Sequence, residues 1–221
     1  MSRKLNLVFA LLLSSGPAVA DHPLVDIEII APSIVVEMRY FGSDNFVGRP
    51  IDGYLAPKCL LSEPAAKALG KAQEEFEAFG LSIKVFDCYR PQPAVDHFMR
   101  WTRDVEDIAK KAEFYPDIQK SRLVPDGYIA ERSGHSRAST VDLSLVVTAS
   151  VEELDMGSAW DYFDVMSHTE NNSVSLEARR NRLLLRSVLH KHGFDNYSAE
   201  WWHFTLRNEP FPETYFSHPV K

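Results

Sequence analysis

The stretch ERSGHSRASTVDLSLV, residues 131–146, decides how the rest of the chain is read. Its second half alternates. Val141, Leu143, Leu145 and the following Val147 fall on one face of a strand at 140–147, and Thr140, Asp142 and Ser144 fall on the other. A carboxylate on the second face of a half-buried strand needs a reason. The loop before it is rich in serine, glycine and arginine and carries His135, which can come back over the face bearing Asp142 if the loop folds onto the sheet.

Working outward, LSIKVFDCY (residues 81–89) alternates through Leu81, Ile83 and Val85 and stops at RPQP, which places Arg90 at a strand end. Residues 62–79 read as a helix with Ser62 as N-cap, Pro64 in the first turn, and Ala65, Leu69, Ala72, Phe76 and Phe79 at helical spacing before Gly80. A second helix is expected over 93–114, ending at YPD. A third is expected in SLEARRNRLLLRSVLHKHG, with Leu176, Leu184 and Val188 on one side, Leu185 and Leu189 beside them, and Gly193 as the stop. VDIEIIAPSIVVEMRY reads as strand and turn, and EWWHFTL as aromatic strand. Helices and strands mix without a βαβ rhythm, so the expected class is α+β with a mostly antiparallel sheet.

The chain has 221 residues, 45% apolar and 25% charged, which fits one folded body rather than a disordered or fibrous one. Residues 1–20 are set apart. Arg3 and Lys4 precede the apolar run LNLVFALLL and the small-residue ending AVA, the layout of a cleavable secretory signal, leaving a single domain over 21–221. The expected address is therefore exported and periplasmic, with no stable membrane association once the signal is removed. Losing Arg3 and Lys4 takes the formal charge from −7 to −9. So acidic a body without a basic stripe excludes nucleic acid as a partner. Two cysteines, Cys59 and Cys88, in an exported chain point to a disulfide, with two buried thiols as the alternative.

Three features could carry chemistry: His135 with Asp142, Glu200 with His203, and Arg90. A catalytic zinc takes about three protein ligands and keeps a position open. His135, Asp142 and His203 supply such a set, with Glu200 left as a second carboxylate. In EWWH, residues three apart share a side only on a helical turn, so Glu200 belongs to the turn before the strand and His203 to the strand itself. The helical HExxH signature is absent. A structural histidine, a turn-bonding Asp142 and a solvated Glu200 remain the alternative.

SGHSRASTVD resembles the SxHxxGxxxD motif, and EWWH the ExxH motif, of the zinc D-alanyl-D-alanine dipeptidases of the VanX type. The likeness continues through DNFVGRPIDGY, DCYRP, KAEFYPDI, MGSAWDYFD and the ending NEPFPETYFSHPVK, and so covers the mature chain. It implies a hedgehog/DD-peptidase type of α+β fold and one zinc per subunit on His135, Asp142 and His203. It also implies that Glu200 is the general base, that Arg90 stabilises the oxyanion, and that Tyr40, Ser133 and Asp161 line the pocket, with Asp161 on the substrate ammonium. The implied partner is a small D,D-dipeptide. One position departs from the motif: its glycine is Ala138 here, which would be strained if φ is positive. The competing functions are a periplasmic zinc D,D-carboxypeptidase acting on peptidoglycan stems and a non-catalytic zinc module that binds cell-wall peptides.

Overall fold

The computed structural model describes residues 24–221, so the signal segment expected at residues 1–20 lies outside the described residues. In chain order the first elements are β1 (Leu24–Asp26), α1 (Ile27–Ile30), β2 (Val35–Val36), β3 (Leu60–Ser62), α2 (Glu63–Glu77) and β4 (Leu81–Asp87). They are followed by α3 (Gln92–Arg103), α4 (Lys111–Phe114), β5 (Thr140–Val147), α5 (Leu176–Lys191), β6 (Phe194–Asn196) and β7 (His203–Leu206). The main sheet runs β2-β4-β5-β7-β6, and β1 pairs separately with β3. Among these strands every pairing is antiparallel except β2 with β4. This is the mostly antiparallel α+β arrangement that the alternating segments predict.

β5 has the predicted bounds but is not half-buried. It is hydrogen-bonded on both sides, and every residue from Thr140 to Val146 is buried. A central strand covered on both faces can hold an ionisable side chain only if that side chain has partners, which raises the stakes at Asp142.

Around the sheet, α2 packs on β4 and on α5, and α5 packs on β6. Ala65, Leu69, Ala72 and Phe76 of α2 are fully buried, and the helix is over before Gly80, whose φ of +73° ends the segment. Phe79, grouped with the core by spacing, is 62% exposed, because α2 stops at Glu77 and the chain has turned. The helix expected over 93–114 breaks in two. Lys120 Nζ donates to the carbonyls of Asp104 and Asp107, which gives the irregular link between α3 and α4 partners that a continuous helix would have replaced. The first segment also contains the single turn α1 where only strand and turn are expected.

Helix α5 is capped by Ser175, whose Oγ accepts from the Ala178 N–H at 2.9 Å. Leu176 is 55% exposed, since it lies at the very start of the helix. The buried residues are Ala178, Arg182, Leu185, Val188 and Leu189, so Val188, Leu185 and Leu189 are buried as expected and one arginine of EARRNR points inward as well. The apolar core is one connected cluster reaching from Ile27 to Val220.

Two ties cross long stretches of chain. Cys59 and Cys88 form a disulfide with Cα atoms 5.2 Å apart, joining the residue before β3 to the residue after β4. The C-terminal strap returns over the first half of the chain: Phe216 N–H donates to Ser136 O, Gln92 N–H to Phe216 O, Val220 N–H to Gly53 O and Leu55 N–H to Val220 O.

Candidate metal and substrate site

The sheet register builds the centre of the site. Asp142 on β5 lies opposite His203 on β7 and opposite Asp87 on β4, so three ionisable residues form one row across adjacent strands. Residues 134–137 form a single 3-10 turn just before β5 and swing His135 over the same row. The turn closes at Ala138, whose φ of 61° and ψ of 26° are left-handed. An alanine there costs about 1–2 kcal/mol relative to the right-handed region. The position is held because the Ala138 N–H donates to His135 O and its carbonyl accepts from Ser62 N–H at 2.6 Å, so the strain at the motif position does not displace His135.

His135 Nε2, His203 Nδ1 and Asp142 Oδ1 converge. The separations are 3.2 Å and 3.1 Å from the two imidazole nitrogens to the carboxylate, and 3.4 Å between the nitrogens. A tetrahedral zinc with bonds of about 2.0–2.1 Å spaces its ligand atoms about 3.3–3.4 Å apart, which these distances match closely. Asp142 Oδ1 is fully buried and accepts no hydrogen bond, so its lone pairs are aimed at a cation. Burial works against a charge on Asp142, but His135 and His203 beside it hold its carboxyl far below the usual range. His135 Nδ1 lies 2.7 Å from the carbonyl of Cys88, which places a proton on Nδ1 and leaves Nε2 available to a metal. A set of two imidazole nitrogens and one carboxylate suits zinc.

Arg90 leaves the end of β4 and lies under the cluster. Its Nε donates to Asp87 Oδ2 at 2.9 Å, its Nη2 lies 3.6 Å from Asp142 Oδ2, and its Nη1 donates to Ser133 Oγ at 3.4 Å. Asp87 takes a second hydrogen bond, at 2.6 Å, from the Tyr54 hydroxyl. This pair fixes the guanidinium plane. Glu200 sits in the turn before β7, with Oε2 3.4 Å from His203 Nδ1. Burial pushes its carboxyl up to about 7, against the pull of His203 and Arg90.

The cluster opens on a cavity of about 260 Å³ whose lining includes Tyr40, Arg90, Phe98, Ser133, Asp161, Phe163, Tyr197, Glu200 and His203. It is smaller than the ~300–1,000 Å³ typical of sites for drug-sized ligands, a size that suits a small molecule. Asp161 is 5% exposed and its Oδ2 accepts a 2.6 Å hydrogen bond from the Tyr40 hydroxyl. Burial, reinforced by Asp142, raises the Asp161 carboxyl well above the usual range. Its φ of 57° is left-handed as well, and strain of this kind persists only where the surroundings impose it.

The surroundings are the segment 156–168 and the buried Arg182. Arg182 Nε donates to Met156 O at 2.6 Å, and its two terminal nitrogens donate to the carbonyls of Met166 and His168 at 2.8–3.1 Å. Gly157 lets the segment lie against Val174 and the start of α5, since a Cβ there would sit 2.7 Å from Val174 and 3.1 Å from the Ala178 Cβ. Ser158 Oγ then accepts from Trp201 Nε1 at 3.0 Å, which links the Asp161 segment to the turn carrying Glu200.

All eight residues singled out for the site come together here. His135, Asp142, His203, Glu200 and Arg90 form the cluster, and Tyr40, Ser133 and Asp161 line the cavity. Sequence reading missed Asp87, Tyr54 and Arg182. Asp87 opens the stretch DCYRP and Tyr54 closes DNFVGRPIDGY, but nothing in their spacing marks them as a pair.

A family model described as D-ala-D-ala dipeptidase, of the M15 peptidases, matches residues 20–221. Proteins named D-alanyl-D-alanine dipeptidase are similar along most of the chain. That of Streptomyces coelicolor is 42% identical over 200 residues, covering 90% of this chain and 98% of its own. That of Enterococcus faecium is 40% identical, covering 84% and 92%, and that of Escherichia coli 36% identical, covering 83% and 84%. A far looser likeness, with a TM-score of 0.41 and 13% identity over 70% of this chain and 77% of the other, runs to a crystal structure of a vancomycin-resistance D,D-pentapeptidase in complex with Zn(II).

Proposed function

Since this chain belongs to the D-Ala-D-Ala dipeptidase family of M15 metallopeptidases, we propose that it hydrolyses D-alanyl-D-alanine to two D-alanines with zinc held by His135, Asp142 and His203. The observation that carries this reading is the convergence of the three ligand atoms to within 3.1–3.4 Å around an otherwise unpartnered, buried Asp142 Oδ1.

Zinc, when bound, supplies a Lewis acid that polarises the scissile carbonyl and acidifies water. Glu200, with its carboxyl raised to about 7, takes a proton from the attacking water and hands it to the leaving amine. Arg90, locked by Asp87 and Ser133, provides fixed positive charge where the carbonyl oxygen becomes anionic. Asp161 receives the substrate ammonium with the Tyr40 hydroxyl steadying its other oxygen, and the arriving cation restores its ionised form. No covalent intermediate is needed.

The burial of Asp161 favours the dipeptide over longer stems. A D,D-carboxypeptidase would have to thread the rest of a peptidoglycan stem past a side chain that is 5% exposed and backed by the buried Trp160 and Phe163. Two features support an exported, periplasmic setting linked to cell-wall peptide turnover: the signal-like layout of residues 1–20 and the Cys59–Cys88 disulfide, which suits an oxidising compartment.

The test is D-alanine release from D-Ala-D-Ala by zinc-loaded protein, run beside a stem pentapeptide and a chelated control. Chelator-sensitive cleavage of the dipeptide alone is the expected result. Cleavage of the pentapeptide would transfer the reading to the carboxypeptidase, and zinc binding with no cleavage would transfer it to a binding module.

A further inference from the structure

The dipeptide reading assigns the substrate's ammonium and its reacting carbonyl but not its terminal carboxylate. A zwitterionic dipeptide is about 7 Å long when extended. A cavity selective for it needs a charge at each end.

The cavity lining carries side chains of both charges. Asp161 accepts from Tyr40 at 2.6 Å, the Tyr40 ring centre lies 5.1 Å from the Arg90 guanidinium carbon, and Arg90 Nη1 donates to Ser133 Oγ at 3.4 Å. Arg132, the residue immediately before Ser133, is exposed and lines the same cavity. Asp161, Arg90 and Arg132 thus share one lining, and the contacts that run from Asp161 through Tyr40 and Arg90 reach Ser133, the residue bonded to Arg132 in the chain.

The two arginines of the cavity differ in what already engages them. Arg90 is committed to Asp87, Asp142 and Ser133. Arg137, in the same turn as His135, is paired through two hydrogen bonds of 2.7–2.8 Å with Glu209. Arg132 rests its guanidinium 5.1 Å from the Tyr215 ring centre and, among the described residues, meets no carboxylate. Stacking fixes a guanidinium plane yet leaves its N–H edge open, the arrangement suited to bidentate capture of a carboxylate. Asp142, Asp161 and Glu200 make the lining acidic, so an anionic terminus enters favourably only where a cation meets it.

We propose that Arg132 binds the terminal carboxylate of the substrate and is a specificity-determining residue for free dipeptides, a proposal that rests on the dipeptidase reading above.

The experiment compares kcat/KM for D-Ala-D-Ala and for its C-terminal amide, using zinc-loaded wild type and Arg132→Met. A charged hydrogen-bonded contact worth about 1.5–3 kcal/mol gives the wild type an acid-over-amide preference of about 10–150-fold. Arg132→Met should reduce that ratio to within about threefold of unity, and Arg132→Lys should retain more of it than methionine does. The N-acetylated dipeptide, which lacks the ammonium, should stay poor in every variant. Turnover of the dipeptide with an unchanged ratio in Arg132→Met overturns this proposal and leaves the dipeptidase reading standing. No turnover of any of these substrates by the wild type overturns both.

Discussion

Arg182 offers the most demanding test of the physical reasoning. Replacing it with methionine keeps an unbranched apolar stem of similar reach and removes the guanidinium that serves the carbonyls of Met156, Met166 and His168. A hydrogen bond to a charged donor contributes about 1.5–3 kcal/mol, so three carbonyls lose about 4–9 kcal/mol in gross terms. Against this, a buried guanidinium no longer has to be stripped of water, a penalty of several kcal/mol, and the freed carbonyls can turn partly to solvent. The expected net loss is about 2–5 kcal/mol. For a chain of this length each kcal/mol shifts Tm by about 2–4 °C, so the variant should melt about 4–20 °C lower. The assay is urea unfolding of the disulfide-bonded, metal-free protein, with the m values compared so that a change in the unfolded state is not mistaken for a change in the fold. Because the clamped segment also carries Asp161, KM for the dipeptide should rise in the surviving folded protein. A methionine variant within about 1 kcal/mol of the parent and with an unchanged KM would refute the argument, since the carbonyls would then be satisfied without the charge.

Other outcomes follow from the same geometry. His203→Ala should remove one of the three proposed ligands and lower zinc content from the expected one per chain to a small fraction, read by metal analysis after desalting. Glu200→Ala should keep its zinc and lose about 10²–10⁴-fold in kcat; full activity would sink the assigned base. Replacing Cys59 and Cys88 together with serine should cost about 3–4 kcal/mol by chain entropy for a 29-residue separation, measured by unfolding with the oxidised parent as reference. Ala138→Gly should stay within about 1 kcal/mol of wild type. Relief of about 1–2 kcal/mol at the left-handed position is offset by roughly 0.8 for the lost buried methyl and about 0.4–1 for the freer unfolded chain.

What the sequence reveals here depends on whether a residue's role is local. The strand over 140–147 is legible from alternation alone, and the demand that Glu200 precede the strand while His203 begins it follows from side-chain direction in EWWH. Burial on both faces of β5 is not legible, because alternation records one apolar face and is silent on what covers the other. Asp87 escapes notice for a similar reason: its partners, Tyr54, Arg90 and His135, come from three separate parts of the chain. Arg182 left a faint signal. Ala178, Arg182, Leu185 and Leu189 share one helical stripe, yet an arginine among arginines reads as a solvated face until the carbonyls it serves are seen. The break between α3 and α4 was likewise hidden, since it depends on Lys120, a distant residue that satisfies the freed backbone.

The C-terminal strap has a consequence for how the molecule comes into being. Phe216 bonds the backbone of Ser136, next to a proposed metal ligand, and the Tyr89 hydroxyl reaches His218 O across 129 residues of chain. Helices α2 and α5 can form from local contacts, but these closures are among the most distant in sequence and carry the largest loop-closure entropy, so they belong late in folding. A chain emerging amino end first has Arg90, His135 and Asp142 in hand well before His203 and the strap exist. Activity then becomes a certificate of a finished chain, and a copy cut short or trimmed near Phe216 should be an inert intermediate rather than a weaker enzyme.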